Sequence, residues 1–392
     1  MDRTYAGSGS GARLSVATRM IMDRKRPVPG NKQKHATLVD VARAANVSVA
    51  TAGRALGNYG YVGAEAKDKI LKAAHALNYR KNLAAQSLIS GKAKTFGMIV
   101  SDIGIEFYSN IIKSVVNYCR GHGYCVLIYD THESVRIERE ALAIFQQHRV
   151  DGIIVSPADF RNADHLREFV SSGGRVVQID RCVPDLESDT VQLDNRRAAR
   201  ECTRKLIAAG HRRIGYIGEL SEIRPASLRK FMATSQPVSD ARQPFAPSCQ
   251  RLFGYLDAHR EAGIEVCPDL IGRTGQYSDG AACKETGKVL AHAPTALLTA
   301  DGLMTVGAFR AIRAHGLRIP EDLSFISFDD LDWLQFVDPP VTAFAHPCSR
   351  IGEEAARILI KWANRGEDAS PLHHEHVRLA GSLIERESIR ML

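Results

Sequence analysis

Seven short apolar runs constrain this chain more than any other feature: FGMIV (96–100), YCVLIY (124–129), GIIVS (152–156), RVVQID (175–180), RIGYIG (213–218), TALLTA (295–300) and LSFISF (323–328). They do not alternate apolar with polar, as a half-exposed strand does, so they suit a parallel sheet covered on both faces. Stretches of helical spacing lie between them, such as FYSNIIKSVVNYCRG, RAARECTRKLIAAG and MTVGAFRAIRAHG. A repeated strand–helix order of this kind predicts a doubly wound α/β fold. About 300 residues exceed one such unit, which predicts two lobes. Residues 221–249 break the rhythm with four prolines and several serines; they read as a long surface loop or insertion.

Charge separates the first quarter of the chain from the rest. The 392 residues carry a net +8, but residues 1–92 hold 16 Lys and Arg against 5 Asp and Glu, a net +11. The remaining 300 residues carry −3. Such a basic segment points to a polyanion, nucleic acid before an anionic membrane. Residues 1–35 are rich in Gly and Ser and then basic; a disordered tail is expected there, with Met20 or Met22 as alternative starts. No apolar stretch approaches the ~18 residues of a membrane span, and no export pattern precedes the basic segment. The eight cysteines are scattered, without metal-like spacing, as in a reduced compartment. A cytoplasmic, nucleoid-associated protein without metal or cofactor is expected.

The segment TLVDVARAANVSVATAGRALGN (37–58) carries the strongest local signal. Leu38, Val41, Ala42 and Ala45 share one helix face. Asn46 follows, a residue that tolerates the left-handed turn between two crossing helices. Ser48 stands where the second helix needs an N-cap. Together these make a helix-turn-helix, with a third helix over about 64–77 that would pack Ile70, Leu71, Ala74 and Leu77 against the first two.

TLVDVARAANVSVATAGRAL, GYV (60–62) and ALNYRKNLAAQSLISGKAKTFGMIV (76–100) resemble the N-terminus of the lactose-repressor (LacI/GalR) family of transcription regulators. The resemblance continues through VDGIIVSP (150–157), QIDR (178–181), GHRRIGYIG (210–218), RLFGY (251–255), GLRIPEDLSFISFDD (316–330) and LIERES (383–388), and so covers about residues 36–392. It implies an all-α helix-turn-helix head (36–81), a hinge helix and linker (82–93), and a two-lobed, periplasmic-binding-protein-like effector and dimerisation core (94–392). Lobe 1 would comprise about 94–192 and 347–374, and lobe 2 about 193–346 and 375–392. The implied partners are a pseudo-palindromic DNA operator, a small-molecule effector and a second copy of the chain, and no membrane.

By the same resemblance, Val49 and Ala50 fall at base-reading positions, suited to thymine methyls, and Arg54 can reach guanine or phosphate. Thr37, Ser48 and Thr51 match backbone-contacting positions. In the hinge, Asn82 and Ala85 flank the minor groove, and Leu88 matches a wedge inserted there; Lys81, Lys92 and Lys94 would neutralise phosphate. Three residues depart from the family pattern: Gly53 for a small hydroxyl residue, Gly57 for a polar one and Lys81 for proline.

The effector residues implied are Phe107, Tyr108, Asp180, Arg251, Asp329, Trp333 and His346, with Arg181 beside Asp180. Carboxylates and a guanidinium suit a polyhydroxylated ligand, a sugar or sugar alcohol first and a purine or nucleoside second. Asp330 reads as a helix cap. Ala300 departs from the usual asparagine, Ile105-Glu106 from Asn-Pro, and His346 from a frequent glutamine. Rival readings are weaker. A transport-type sugar receptor without a DNA role would lack the helix-turn-helix. An enzyme is not expected, since GSGSG (7–11) precedes any strand and no phosphate-binding loop is present. HHEH (373–376) reads as ordinary exposed histidines.

Overall fold

A computed structural model describes residues 36–57, 60–80, 92–223, 245–365 and 373–392. The chain divides into two units, Met1–Asn82 and Leu83–Leu392.

In the first unit, α1 (Leu38–Ala44) begins with a reciprocal cap: Asp40 N–H donates to Thr37 Oγ1 at 3.3 Å, and Thr37 N–H donates to Asp40 Oδ2 at 2.9 Å. Asn46 takes φ +50° in the turn, as its short polar side chain allows. Ser48 Oγ then accepts the Thr51 N–H at 3.1 Å and starts α2 (Val49–Gly57). With α3 (Ala64–Ala76) these helices bury Val41, Ala42, Ala45, Ala52, Ala55, Ile70 and Ala74. Five of the seven are alanine, and the larger side chains of Leu38, Val47, Leu56, Val62 and Tyr79 pack around them, partly buried. Two expected core residues point elsewhere. Leu71 is 48% exposed and Leu77 38%. Leu71 sits about 100° round the helix from Ile70, and Leu77 is the C-cap, past the last full turn.

The second unit runs β1 (Thr95–Val100), α4 (Glu106–Gly121), β2 (Cys125–Asp130), α5 (Val135–Gln147), β3 (Ile153–Val155), α6 (Asp164–Ser171), β4 (Val176–Ile179) and β5 (Asp189–Leu193). It continues with α7 (Asn195–Ala208), β6 (Ile214–Gly218), α8 (Pro247–Glu261), β7 (Ile271–Arg273), α9 (Asp279–Leu290), β8 (Ala296–Thr299), α10 (Gly302–Ala314), β9 (Ser324–Phe328) and β10 (Thr342–Ala345). It ends with α11 (Cys348–Ala363), β11 (His376–Leu379) and β12 (Ser382–Ile384). Two six-stranded sheets result, in the orders β11-β5-β4-β3-β1-β2 and β12-β10-β9-β8-β6-β7. Every pairing is parallel except β10 with β12. Helices cover both faces of each sheet. α4 and α11 share a core on one face of the first sheet, and α5 and α6 on the other. α7 and α8, then α9 and α10, do the same for the second. No described helix is long and apolar enough to cross a membrane.

All seven apolar runs are strands. β2 differs in kind: as the edge of its sheet it is largely exposed or half-buried rather than covered on both faces. The HVRL run (376–379) corrects the expected lobe boundary. It pairs with β5, Thr190 opposite His376 and Leu193 opposite Leu379, because Glu375 O accepts the Thr190 N–H and Glu375 N–H donates to Asp189 Oδ1. The last crossing between lobes therefore follows Leu379 rather than residue 374. The expected 221–249 loop also ends early, since Pro247 opens α8, where proline's missing N–H costs nothing. Lys94, expected on phosphate, instead lies over the Tyr124 ring at 4.3 Å and donates to its hydroxyl at 3.2 Å. None of the eight cysteines is in a disulfide.

α7 and α8 approach closely at Gly254, where an added Cβ would stand 2.1 Å from the Arg196 carbonyl oxygen. Gly254→Ala should therefore force the helices apart and cost about 1–3 kcal/mol. This would appear as a lower urea midpoint at unchanged slope.

Candidate functional site

In the head, α2 buries Ala52 and Ala55 and turns its other face outward. Val49 is 43% exposed, and Ala50 and Arg54 are exposed beside it. Ser48 Oγ and Thr51 Oγ1 lie 2.8 Å apart, and Arg54 Nη2 lies 3.5 Å from Thr51 Oγ1. The chain then returns past Arg54 through Gly60 at φ +69°, where a Cβ would press on Arg54 Cδ at 3.2 Å; glycine leaves that stem room to move. The helix thus offers two small apolar side chains at its first turn and, one turn on, an exposed guanidinium whose one side-chain hydrogen bond among the described residues is the long one to Thr51. Thr37 is exposed, but Asp40 holds both its N–H and its hydroxyl, so a phosphate would compete with the cap. Asn82, Ala85 and Leu88 lie outside the described residues.

In the core, side chains at the C-terminal ends of strands converge on one cleft between the two sheets, as the crossover geometry of doubly wound sheets dictates. Asp180 follows β4 and Asp329 follows β9, the fourth strand of each lobe in chain order. Both take left-handed backbone angles, φ +59° and +76°. This strained conformation is compatible with a short carboxylate. Tyr108 Oη, on the first turn of α4, donates to Asp180 Oδ2 at 2.9 Å and lies 3.0 Å from Ser156 Oγ. Burial pushes the Tyr108 phenol up, and Asp180 adds to that. Arg181 pairs with Glu133.

Arg251, on α8, is buried. Its Nε donates to Asn195 Oδ1 at 2.8 Å, its Nη1 to the Ala300 carbonyl, and its guanidinium lies 4.0 Å from the Phe328 ring centre. His346, after β10, places Nε2 2.8 Å from Asp329 Oδ1 and 3.4 Å from Arg251 Nη2. Phe107 meets the His346 ring edge-on at 4.8 Å. Asp329 also accepts the Gly302 N–H at 2.8 Å. Burial pushes its carboxyl up, but His346, Arg251 and that N–H together hold it below the usual carboxylate range.

Six of the seven expected effector residues thus share one cleft; Trp333 does not. It stands in a short 3-10 turn, Asp332–Gln335, with its ring edge-on to Phe309 at 5.1 Å, and lines a separate groove with Phe309 and Pro339. Asp330 is no helix cap either: it pairs with Arg386 at 2.6 and 3.0 Å. The cap of α10 is Asp301, which accepts from Leu303 N–H and Met304 N–H at 3.0 Å each. Asp301 lines the cleft, with Ser101, Glu133, Glu219 and Tyr277. These went unnamed in the sequence, although Ser101, Glu219 and Asp301 directly follow buried strand runs. Burial, with Asp329 and Glu219 nearby, pushes the Asp301 carboxyl up to about 7 against the pull of Met304 N–H and Arg251. Burial also raises Glu219, whose hydrogen-bond partner is the Ser221 hydroxyl. The cleft encloses ≈ 60 Å³, well below the ~300–1,000 Å³ of a small-molecule site, so the lobes must part to admit a ligand.

Comparison with known proteins agrees with both halves. The family model for bacterial regulatory proteins of the lacI family matches residues 37–82, and that for a periplasmic binding protein-like domain matches residues 203–389. The HTH-type transcriptional repressor CytR of Escherichia coli strain K12 is 33% identical over 330 residues, 83% of this chain and 89% of that protein. The HTH-type transcriptional regulator GalS of Salmonella typhimurium is 30% identical over 341 residues, 86% and 93% of the two chains. In fold, the lac repressor dimer bound to operator and the anti-inducer ONPF superposes with a TM-score of 0.74 over 91% of this chain and all of that one, at 23% identity. The chain belongs to the lacI family of bacterial regulatory proteins.

Proposed function

We propose that the chain is a transcriptional repressor that acts as a homodimer on a near-palindromic operator, its affinity set by a polyhydroxylated effector, a sugar or sugar alcohol, bound between the lobes. The observation that carries this reading is the cleft: Asp180, Arg251, Asp329 and His346 converge at strand ends in a core joined to a helix-turn-helix head. A carboxylate accepts two hydroxyls and a guanidinium donates to several oxygens. Closing the lobes on such a ligand would change operator affinity by roughly 1–3 kcal/mol of coupling. Phe107 offers an aromatic edge that would also face a nucleobase, so nucleosides belong in the same ligand screen.

α2 is the reading helix, with Val49 and Ala50 against base edges and Arg54 on guanine or phosphate. Arg54→Ala should cost about 1–3 kcal/mol and relax one operator position. Binding-site selection with both proteins checks this; an equal loss on all sequences would assign Arg54 to phosphate. Arg251→Ala should keep operator binding and abolish the effector response, read as loss of the thermal shift that sugars, polyols or nucleosides give the parent.

Asp301 makes the core sensitive to pH. Its folded carboxyl, at about 7, lies above the ordinary aspartate value. The stability it contributes is therefore complete below about pH 4 and is lost as the pH rises through about 7. Asn keeps the cap and has no proton to lose. The stability gap of Asp301→Asn over the parent should widen from pH 5 to pH 7 by a few kcal/mol and stay level above. Melting curves at pH 5, 6, 7 and 8 measure it, and a gap independent of pH would refute the account.

A further inference from the structure

Among the described residues, the cleft is lined by five carboxylates, Glu133, Asp180, Glu219, Asp301 and Asp329, against two guanidiniums and one imidazole. Their pairing is uneven. Arg181 is taken by Glu133, and Asp329 has His346. Arg251 gives its Nε and Nη1 to neutral acceptors, Asn195 Oδ1 and the Ala300 carbonyl. Among the described residues, Asp180, Glu219 and Asp301 form no ion pair; their partners are the Tyr108 hydroxyl, the Ser221 hydroxyl and two backbone N–H groups. One of the three comes from lobe 1 and two from lobe 2, so closure confines them together in a space with no room for bulk water. A second feature points to a missing donor or acceptor. Ser248, 6% exposed and lining the same cleft, leaves its Oγ without a hydrogen-bond partner, as His346 leaves its Nδ1.

Asp301 is buried and Asp180 and Glu219 are half-buried; carboxylates so placed need a countercharge or a proton, the more so the deeper they lie. For Asp301 and Glu219 burial outweighs the pull of Arg251 and Arg181, and both carboxyls are displaced upward. A phosphate or carboxylate on the ligand would add to the excess, and a neutral polyol would leave it. We infer that the effector carries a protonated amine, seated between Asp180 of one lobe and Glu219 and Asp301 of the other, and no acidic group. The inference rests on the reading of this cleft as the effector site.

Matched ligand sets on two scaffolds test it with the full-length protein: glucose, glucosamine and glucuronate; adenosine, 5′-amino-5′-deoxyadenosine and AMP. Calorimetry at pH 7 should show the amine binding at least about tenfold tighter than its neutral counterpart in one set, with the acid not binding. Glu219→Gln should reduce that ratio below about threefold. Calorimetry of the parent in two buffers of different ionisation enthalpy should show less proton uptake for the amine than for the neutral ligand. A neutral ligand that binds as tightly as its amine, an acid that binds, or an unchanged ratio in Glu219→Gln would overturn the inference while leaving the cleft as an effector site. No binding by any member of either set would overturn both.

Discussion

The core depends on how Arg251 is held. One guanidinium, stacked on Phe328, ties α8 to α7 through Asn195, to the end of β8 through the Ala300 carbonyl, and stands against His346 at the end of β10. A buried charge survives only when its donors are met, so each of these elements must end where it does. The same contacts place His346 on Asp329, and Asp329 on the first N–H of α10. The cleft-facing groups of the second lobe are thus positioned by one another. This explains how a cleft can keep several ionised groups without bulk solvent. At Ala300 it is the backbone carbonyl, present whatever the side chain, that meets the arginine.

The two lobes solve the same problem with the same parts. Each has four successive strands, a helix pair on either face, and an aspartate in left-handed geometry after the fourth strand. That repetition is why the architecture was legible. Strands buried on both faces leave unbroken apolar runs, and all seven such runs became strands. The strands that were not foreseen lack that signature. DTVQL (189–193) mixes polar with apolar residues, and IGR, TAFA and SLI are three or four residues long. HVRL carries alternating exposure at a sheet edge, so nothing in its composition says which lobe it joins; that is decided by Glu375 bonding to β5. Local chemistry was equally legible in the head, where Thr37, Asn46 and Ser48 act through their own backbone neighbours and need no tertiary context.

The site was half legible for a related reason. Residues matched to family motifs, such as Asp180, Arg251 and Asp329, were found. Glu219, Asp301 and Tyr277 were not, because their relevance comes from which strand ends face each other. Trp333 shows the reverse error: proximity in sequence to Asp329 suggested the cleft, but the 3-10 turn after Leu331 carries the indole round to Phe309.

The smallness of the enclosed space has a kinetic meaning. With ≈ 60 Å³ between the lobes, no small molecule of sugar size enters or leaves this form, so exchange passes through an opened one. The frequency of opening then limits how fast a ligand can arrive. Such a receptor integrates its surroundings over the lifetime of the closed state. A brief rise in ligand concentration, shorter than the wait for one opening event, passes without reaching the DNA.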